Sequence, residues 1–186
     1  MFRFRLLKLR ITLLVAVLMA TLALSRISLG KVSNFQRADV IRVDSPAPVV
    51  LTTLMLGDAR DVFAKINFQR RKFGLRNLIW DEGLAKLATA YAEQMATEDF
   101  FSHFDPQGRS IVDRAEDLEI KDWLKIGENL YKSKGYVVPT DIAVDGWMES
   151  DSHRENIIDP DWTHTGVGVY KTKDSRTYIV QTFMMK

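Results

Sequence analysis

Three histidines, one glutamate set among apolar residues and a complete absence of cysteine bound the chemistry open to this 186-residue chain. His103, His153 and His164 all fall in its second half, each beside a turn or helix-end signal. A histidine on a loop held by rigid elements can present its imidazole to a cleft, whereas one on an apolar helical stripe serves the core. Glu128 sits in Ile126-Gly127-Glu128-Asn129-Leu130, a pattern that buries an acid in part. A buried carboxylate must be protonated, hydrogen-bonded or paired with a cation, so this segment calls for a partner. Either Glu128 accepts backbone N–H bonds and fixes a loop, or it faces the imidazoles of a site.

Two neutral imidazoles drawn from the three histidines, together with the carboxylate of Glu128, would suit Zn²⁺ with one position open to water, and Glu128 is the candidate base. The helical HExxH pattern is missing, so convergence has to come from the fold. The competing arrangement is a metal-free polar cluster in which Glu128 orients the histidines. Asn129, Ser152 and Asn156 are residue types that orient imidazoles and carboxylates, or else cap loops; Ser152 or Asp151 would cap a helical turn over residues 153 to 157. His164 precedes Gly166-Val167-Gly168-Val169, glycines that permit close backbone approach but form no phosphate loop, since no helix follows. It is either a strand-edge residue or a competitor for the place of His153. No nucleophile has a convincing base, because Ser102 adjoins His103 in sequence without a reason to face it.

The elements that must carry these residues are legible in the periodicity. From Asp58 the pattern is helical, with Val62, Ile66 and Phe73 near one stripe and Gly74 where a left-handed C-cap glycine belongs. Asp81 is a suitable N-cap, and Leu84, Leu87, Ala88, Tyr91 and Met95 then share one buried face. Asp105-Pro106-Gln107-Gly108 favours a type I turn, and Ser110 with Asp113 forms a capping box for a short helix to about Leu118. A further helix begins near Thr140 and directs Ile142, Ala143, Gly146 and Trp147 inward. Trp80, Tyr91, Phe100, Phe101 and Trp147 are most simply core. Strands are predicted over residues 165 to 171 and 177 to 185, with a third near Ile126 to Tyr131. Helices first and strands late, without βαβ alternation, give an α+β domain with helices on a small antiparallel sheet.

The first thirty residues stand apart. Arg3, Arg5, Lys8 and Arg10 precede an apolar run from Ile11 to Leu24, which makes residues 1 to 25 either a cleaved signal peptide or an uncleaved N-terminal membrane anchor. These residues hold four of the 26 basic side chains and none of the 24 acids, leaving 22 bases against 24 acids, a net charge of −2. Such an exported domain has no basic footprint for nucleic acid. Residues 26 to 56, with a Pro-Ala-Pro step at Pro46 to Pro48, form a linker in which Val49 to Leu56 either adds a strand or docks on the domain. Residues 57 to 186 are the domain, and its core must hold it without disulfides.

The runs LIWDEGLAKLATAYAEQMATEDFFSHFDPQGRS, IGENL, WMESDSHRENII, THTGVGV and YIVQTF, in this order and spacing, resemble the bacterial branch of the CAP superfamily, the cysteine-rich secretory, antigen 5 and pathogenesis-related 1 proteins. The resemblance covers the whole domain. It implies a three-layer α-β-α sandwich with a cleft where two histidines and two glutamates converge in many eukaryotic members, some of which bind a divalent metal. It assigns His103 and Glu128 to that cleft, with His153 as the bacterial-type second histidine. The second glutamate is displaced: Ser150 stands three residues after Trp147, and Glu149 only two, a rotation of about 100° on a helix. The expected function is a non-catalytic extracytoplasmic binding module for an envelope lipid, glycan or protein, secreted, periplasmic or anchored by its leader. The alternatives are a metal-assisted hydrolase and a structural envelope or spore-coat protein.

Overall fold

In the computed structural model the described residues are 47–135 and 137–186, with side chains from Met55 onward. The leader, and the linker up to residue 46, lie outside them. No helix among the described residues is long and apolar enough to cross a membrane.

The first helix, α1 (Ala47–Lys72), begins ten residues before the expected domain boundary. Val49 to Leu56 is therefore neither a strand nor an extended linker. Pro48 does not prevent this, because it falls in the first turn, where its missing N–H had no helical partner to lose. At the other end Leu75 N–H donates to Arg70 O (3.1 Å) and Gly74 N–H to Arg71 O (3.0 Å) with Gly74 at φ +71°, a Schellman stop. Val62 and Ile66 are buried, but Phe73 lies beyond the helix and is half exposed.

A two-residue strand, β1 (Ile79–Trp80), runs parallel to β3 (His164–Lys171), which pairs antiparallel with β4 (Arg176–Met185), and β4 with β2 (Lys125–Lys134). The sheet is thus mixed, in the order β1-β3-β4-β2, and departs from the expected all-antiparallel sheet through a strand too short to show any period. Asp81 ends β1 by capping α2 (Glu82–Thr97), its carboxylate accepting from Leu84 N–H at 3.0 Å.

One face of the sheet carries Val167, Val169, Ile179 and Phe183 against α1, α4 (Thr140–Glu149) and α5 (Asp151–Ile158). The other carries Leu130, Tyr178, Val180 and Met184 against α2 and α3 (Ile111–Asp117). The result is an α-β-α sandwich. All five residues of the predicted α2 stripe are buried. In α4, Ala143 and Trp147 face inward as expected, while Ile142 and Gly146 face solvent and Val144 takes the inner position.

The glycines of β3 have a steric reason. A Cβ on Gly166 would lie 2.1 Å from Ala85 N, and one on Gly168 2.1 Å from Thr89 N, so α2 rests its backbone directly on the strand. That seating fixes where α2 ends, and with it the loop that carries His103.

Candidate functional site

Glu128 and Asn129 are consecutive on β2, so their side chains leave opposite faces of the strand. Glu128 points into the layer of α2 and α3, and its carboxylate is almost fully buried. The partner that such an acid demands is Arg114 of α3, also buried, whose Nη2 donates to both Glu128 oxygens at 2.9 and 3.0 Å. Arg114 Nη1 donates to the carbonyls of Arg109 (3.0 Å) and His103 (3.3 Å), and the guanidinium stacks 3.3 Å from the centroid of the Tyr91 ring. Its Nε is buried without a partner. Tyr91 in turn donates its hydroxyl to Ser102 O at 2.6 Å. Burial first, and then the carboxylates of Glu128 and Asp105 against the opposing pull of Arg114, push the Tyr91 phenol up to about 12.

His103 lies on the loop between α2 and α3, roughly half exposed, with Nδ1 3.1 Å from Glu128 Oε1. Since an ionised carboxylate only accepts, Nδ1 is the donor, and in the neutral imidazole the lone pair is on Nε2. The loop is shaped from below by buried Asp105, which accepts from Gln107 N–H (3.0 Å), Arg109 N–H (2.8 Å) and Arg109 Nε (2.9 Å). Desolvation would raise this carboxyl, but these hydrogen bonds hold it below the usual range. Phe101 and Phe104 flank His103 and are both exposed, so Phe101 does not join the core.

From the opposite face, α5 delivers His153. Asn129 Nδ2 donates to His153 O (3.1 Å) and Asn129 Oδ1 accepts from Asn156 Nδ2 (2.9 Å), so these two amides hold the histidine's backbone rather than its ring. The ring is met by Ser150 Oγ, 2.8 Å from His153 Nδ1. Ser152, expected beside the site, faces solvent, because the helix starts at Asp151 and turns that side chain outward. Burial, and after it the charge of His103, press His153 below the ordinary histidine range.

The remaining candidates lie apart. Glu149 is exposed at the last residue of α4. His164 opens β3, its Nδ1 2.8 Å from Thr163 Oγ1, and β4 separates it from Glu128. Ser102 Oγ accepts from Phe104 N–H (3.0 Å) in a local turn, so it is not poised on His103. Two surface cavities of about 650 and 690 Å³ lie elsewhere, one between α1, α2 and β3 and the other beside α4, and no candidate residue lines either.

This arrangement does not fit a divalent metal. Among the described residues no three His, Cys, Asp or Glu side chains gather into a metal-binding group. Both oxygens of Glu128 are already engaged by a cation. A dication within ~4 Å of that guanidinium would be repelled by about 8 kcal/mol at an effective dielectric constant near 20.

Arg114 and Tyr91 are the site residues that sequence reasoning missed. The available signal was the short helix itself: Ile111, Arg114 and Ala115 fall at i, i+3 and i+4, which places a guanidinium on the inward stripe.

Comparison with known proteins agrees with this architecture. The family model of the cysteine-rich secretory protein family, CAP, matches residues 63–183. An uncharacterized membrane protein of Bacillus subtilis (strain 168) is 35% identical over 120 residues, which is 64% of this chain and 32% of that protein. The match thus spans about a third of the relative's length. The crystal structure of an extracellular protein containing an SCP domain, from Bacillus anthracis, superposes with a TM-score of 0.65 at 26% identity, over 75% of this chain and 44% of the other. An outer surface protein from Borrelia burgdorferi shares the fold with a TM-score of 0.64 at 24% identity, over 70% of this chain and 93% of the other.

Proposed function

The chain belongs to the cysteine-rich secretory protein (CAP) family, and from that premise we propose that it is a non-catalytic extracytoplasmic binding module whose ligand meets the exposed rim around His103. The observation that carries this reading is the Arg114–Glu128 pair: the carboxylate a hydrolase would use as base is already neutralised and hydrogen-bonded. What faces solvent is the half-exposed His103 imidazole, on a loop whose Phe101 and Phe104 are also exposed. Such a loop suits an envelope lipid, glycan or polypeptide that offers a hydrogen-bond donor beside apolar surface.

An extracytoplasmic setting is supported by the basic, apolar leader and by fold neighbours described as extracellular and outer-surface proteins. The leader delivers residues 57 to 186 outside the cytoplasm, as a cleaved signal or as an anchor.

The test titrates the purified full-length chain in detergent against phosphatidylglycerol vesicles, peptidoglycan fragments and solubilised envelope polypeptides. Saturable binding to one of these, weakened at least tenfold by His103→Ala and by Phe104→Ser without turnover of the bound material, is the expected result. Binding to none of them, or turnover abolished by Glu128→Gln, overturns the proposal.

A further inference from the structure

We propose that the C-terminal end of α1 is a membrane-docking surface, where Arg71, Lys72 and Arg76 take the anionic headgroups of a bilayer and Phe68 and Phe73 enter its interface. The sequence supplies the first observation. Between Asp61 and Asp81 there is no acid and there are five bases, Lys65, Arg70, Arg71, Lys72 and Arg76, although residues 26 to 186 carry a net charge of −2. The structure sorts the five. Lys65 is paired with Asp61 and Asp141, and Arg70 is buried among backbone carbonyls. Arg71, Lys72 and Arg76 are exposed, and none of the three forms an ion pair among the described residues. Arg71 Nη1 donates to the neutral Asn77 Oδ1 at 3.1 Å.

Apolar surface lies among these charges. Phe68 is 51% and Phe73 52% exposed. The Arg71 guanidinium and the Lys72 ammonium lie 5.8 and 4.6 Å from the centroid of the Phe68 ring, so ring and cations form one surface. Phe73 follows Lys72 directly, held by the Schellman stop at Gly74. The support is rigid, because buried Arg70 ties this end of α1 to the carbonyls of Ile157 and Asp159. Attraction to the helix C-terminus accounts for Arg71 and Lys72, but not for Arg76 or for two half-exposed phenylalanines. A soluble anion would leave those rings in water, whereas a bilayer interface meets the cations with phosphates and the rings with the acyl boundary. The layer across the sheet has the opposite sign: α3 and the loop after it expose Glu116, Glu119 and Asp122, so an anionic surface attracts one side of the sandwich and repels the other. The leader proposed above brings the domain to a membrane, and nothing in this surface depends on a ligand at the His103 rim.

The experiment reconstitutes the full-length chain in nanodiscs of phosphatidylcholine alone and of phosphatidylcholine with an equal part of phosphatidylglycerol, and follows amide hydrogen exchange. Phosphatidylglycerol should slow exchange across residues 68 to 79 by about tenfold, leave residues 111 to 122 unchanged, and lose this effect in high salt. The triple variant Arg71→Gln, Lys72→Gln, Arg76→Gln should abolish the slowing, whereas Arg71→Lys with Arg76→Lys should keep it, since a headgroup phosphate is met by charge. Phe68→Ser with Phe73→Ser should weaken it and leave its salt dependence in place. Inorganic phosphate added to the chain in phosphatidylcholine discs should not reproduce it. Equal exchange in the two kinds of disc overturns the proposal, as does slowing that survives high salt, that survives the triple variant or that inorganic phosphate reproduces. The salt arm uses the native chain, so the test holds even where a variant fails to fold. Failure here leaves the ligand-binding proposal standing, since that is judged by the His103 and Phe104 substitutions alone.

Discussion

Among the described residues two arginines are buried, and their surroundings differ in kind. Arg70, on α1, gives Nη1 to the carbonyls of Ile157 and Asp159, both at 2.8 Å, and Nε to Arg76 O at 2.9 Å. It staples the end of α5 to the end of α1, and every partner is backbone. Arg114 has two carbonyls, but its main partner is a side-chain carboxylate that also bonds a solvent-facing imidazole, and its Nε is left unpaired. A guanidinium satisfied by carbonyls fixes chain positions and stops there. One satisfied by a carboxylate sets the charge and the tautomer of whatever else that carboxylate touches. Burial is nearly equal at the two sites, so the chemistry of the partner is what separates a structural staple from a site.

The largest effect that would sharpen this contrast is at Arg114. Arg114→Met leaves Glu128 buried without its cation and should cost about 3–5 kcal/mol of stability in urea melts, most of it recovered in the double variant Arg114→Met, Glu128→Met. A cost that simply adds across the two positions would break the comparison, since the pair would then be no more coupled than Arg70 and its carbonyls. Arg70→Met should cost less, about 2 kcal/mol, because it frees neutral carbonyls rather than a charge, and two of the three, on Arg76 and Asp159, are only partly buried. It should also leave the His103 resonances unmoved, and a shift of those resonances would mean that the staple and the site are not separate.

The smallest effect is acid sensitivity from His153. Its folded pKa is depressed by burial and by His103, so in the window between that value and the unfolded value near 6.5 the unfolded chain binds more protons. Stability is therefore fully present above about pH 6.5 and is lost as pH falls through the window. His153→Asn should flatten that slope, which stays below one proton because the ring is only partly buried. An unchanged slope in the variant would remove His153 from the acid response.

Much of the fold could be read from local pattern, and the reasons are local too. Asp81 with the Leu84–Leu87–Ala88–Tyr91–Met95 stripe, the Ser110–Asp113 box and the long β3–β4 hairpin each announce themselves within a few residues. β1 could not, because two residues have no period and its parallel pairing joins Ile79 to His164 across 85 positions. The start of α1 was hidden by the Pro-Ala-Pro step, which reads as a linker although proline is tolerated in a first helical turn. At the site, Glu128 signalled that it needed a partner, and family resemblance supplied His103 and His153 as candidates. The partner itself came from a helix fourteen residues away, and only packing brings Arg114, Tyr91 and Glu128 together. The same limit explains Ser150 and Ser152: both are serines beside His153 in sequence, and only the start of α5 at Asp151 decides which one meets the ring.

The claim on which the account rests is that Arg114 and Glu128 fix His103 with its proton on Nδ1 and its lone pair on Nε2, with no metal involved. Long-range ¹H–¹⁵N correlation spectra of His103, recorded where the imidazole is neutral and repeated after one equivalent of Zn²⁺, measure this directly. A protonated Nδ1, a bare Nε2 and no change on adding Zn²⁺ are expected. A proton on Nε2, or a His103 signal that moves with one equivalent of Zn²⁺, contradicts the account.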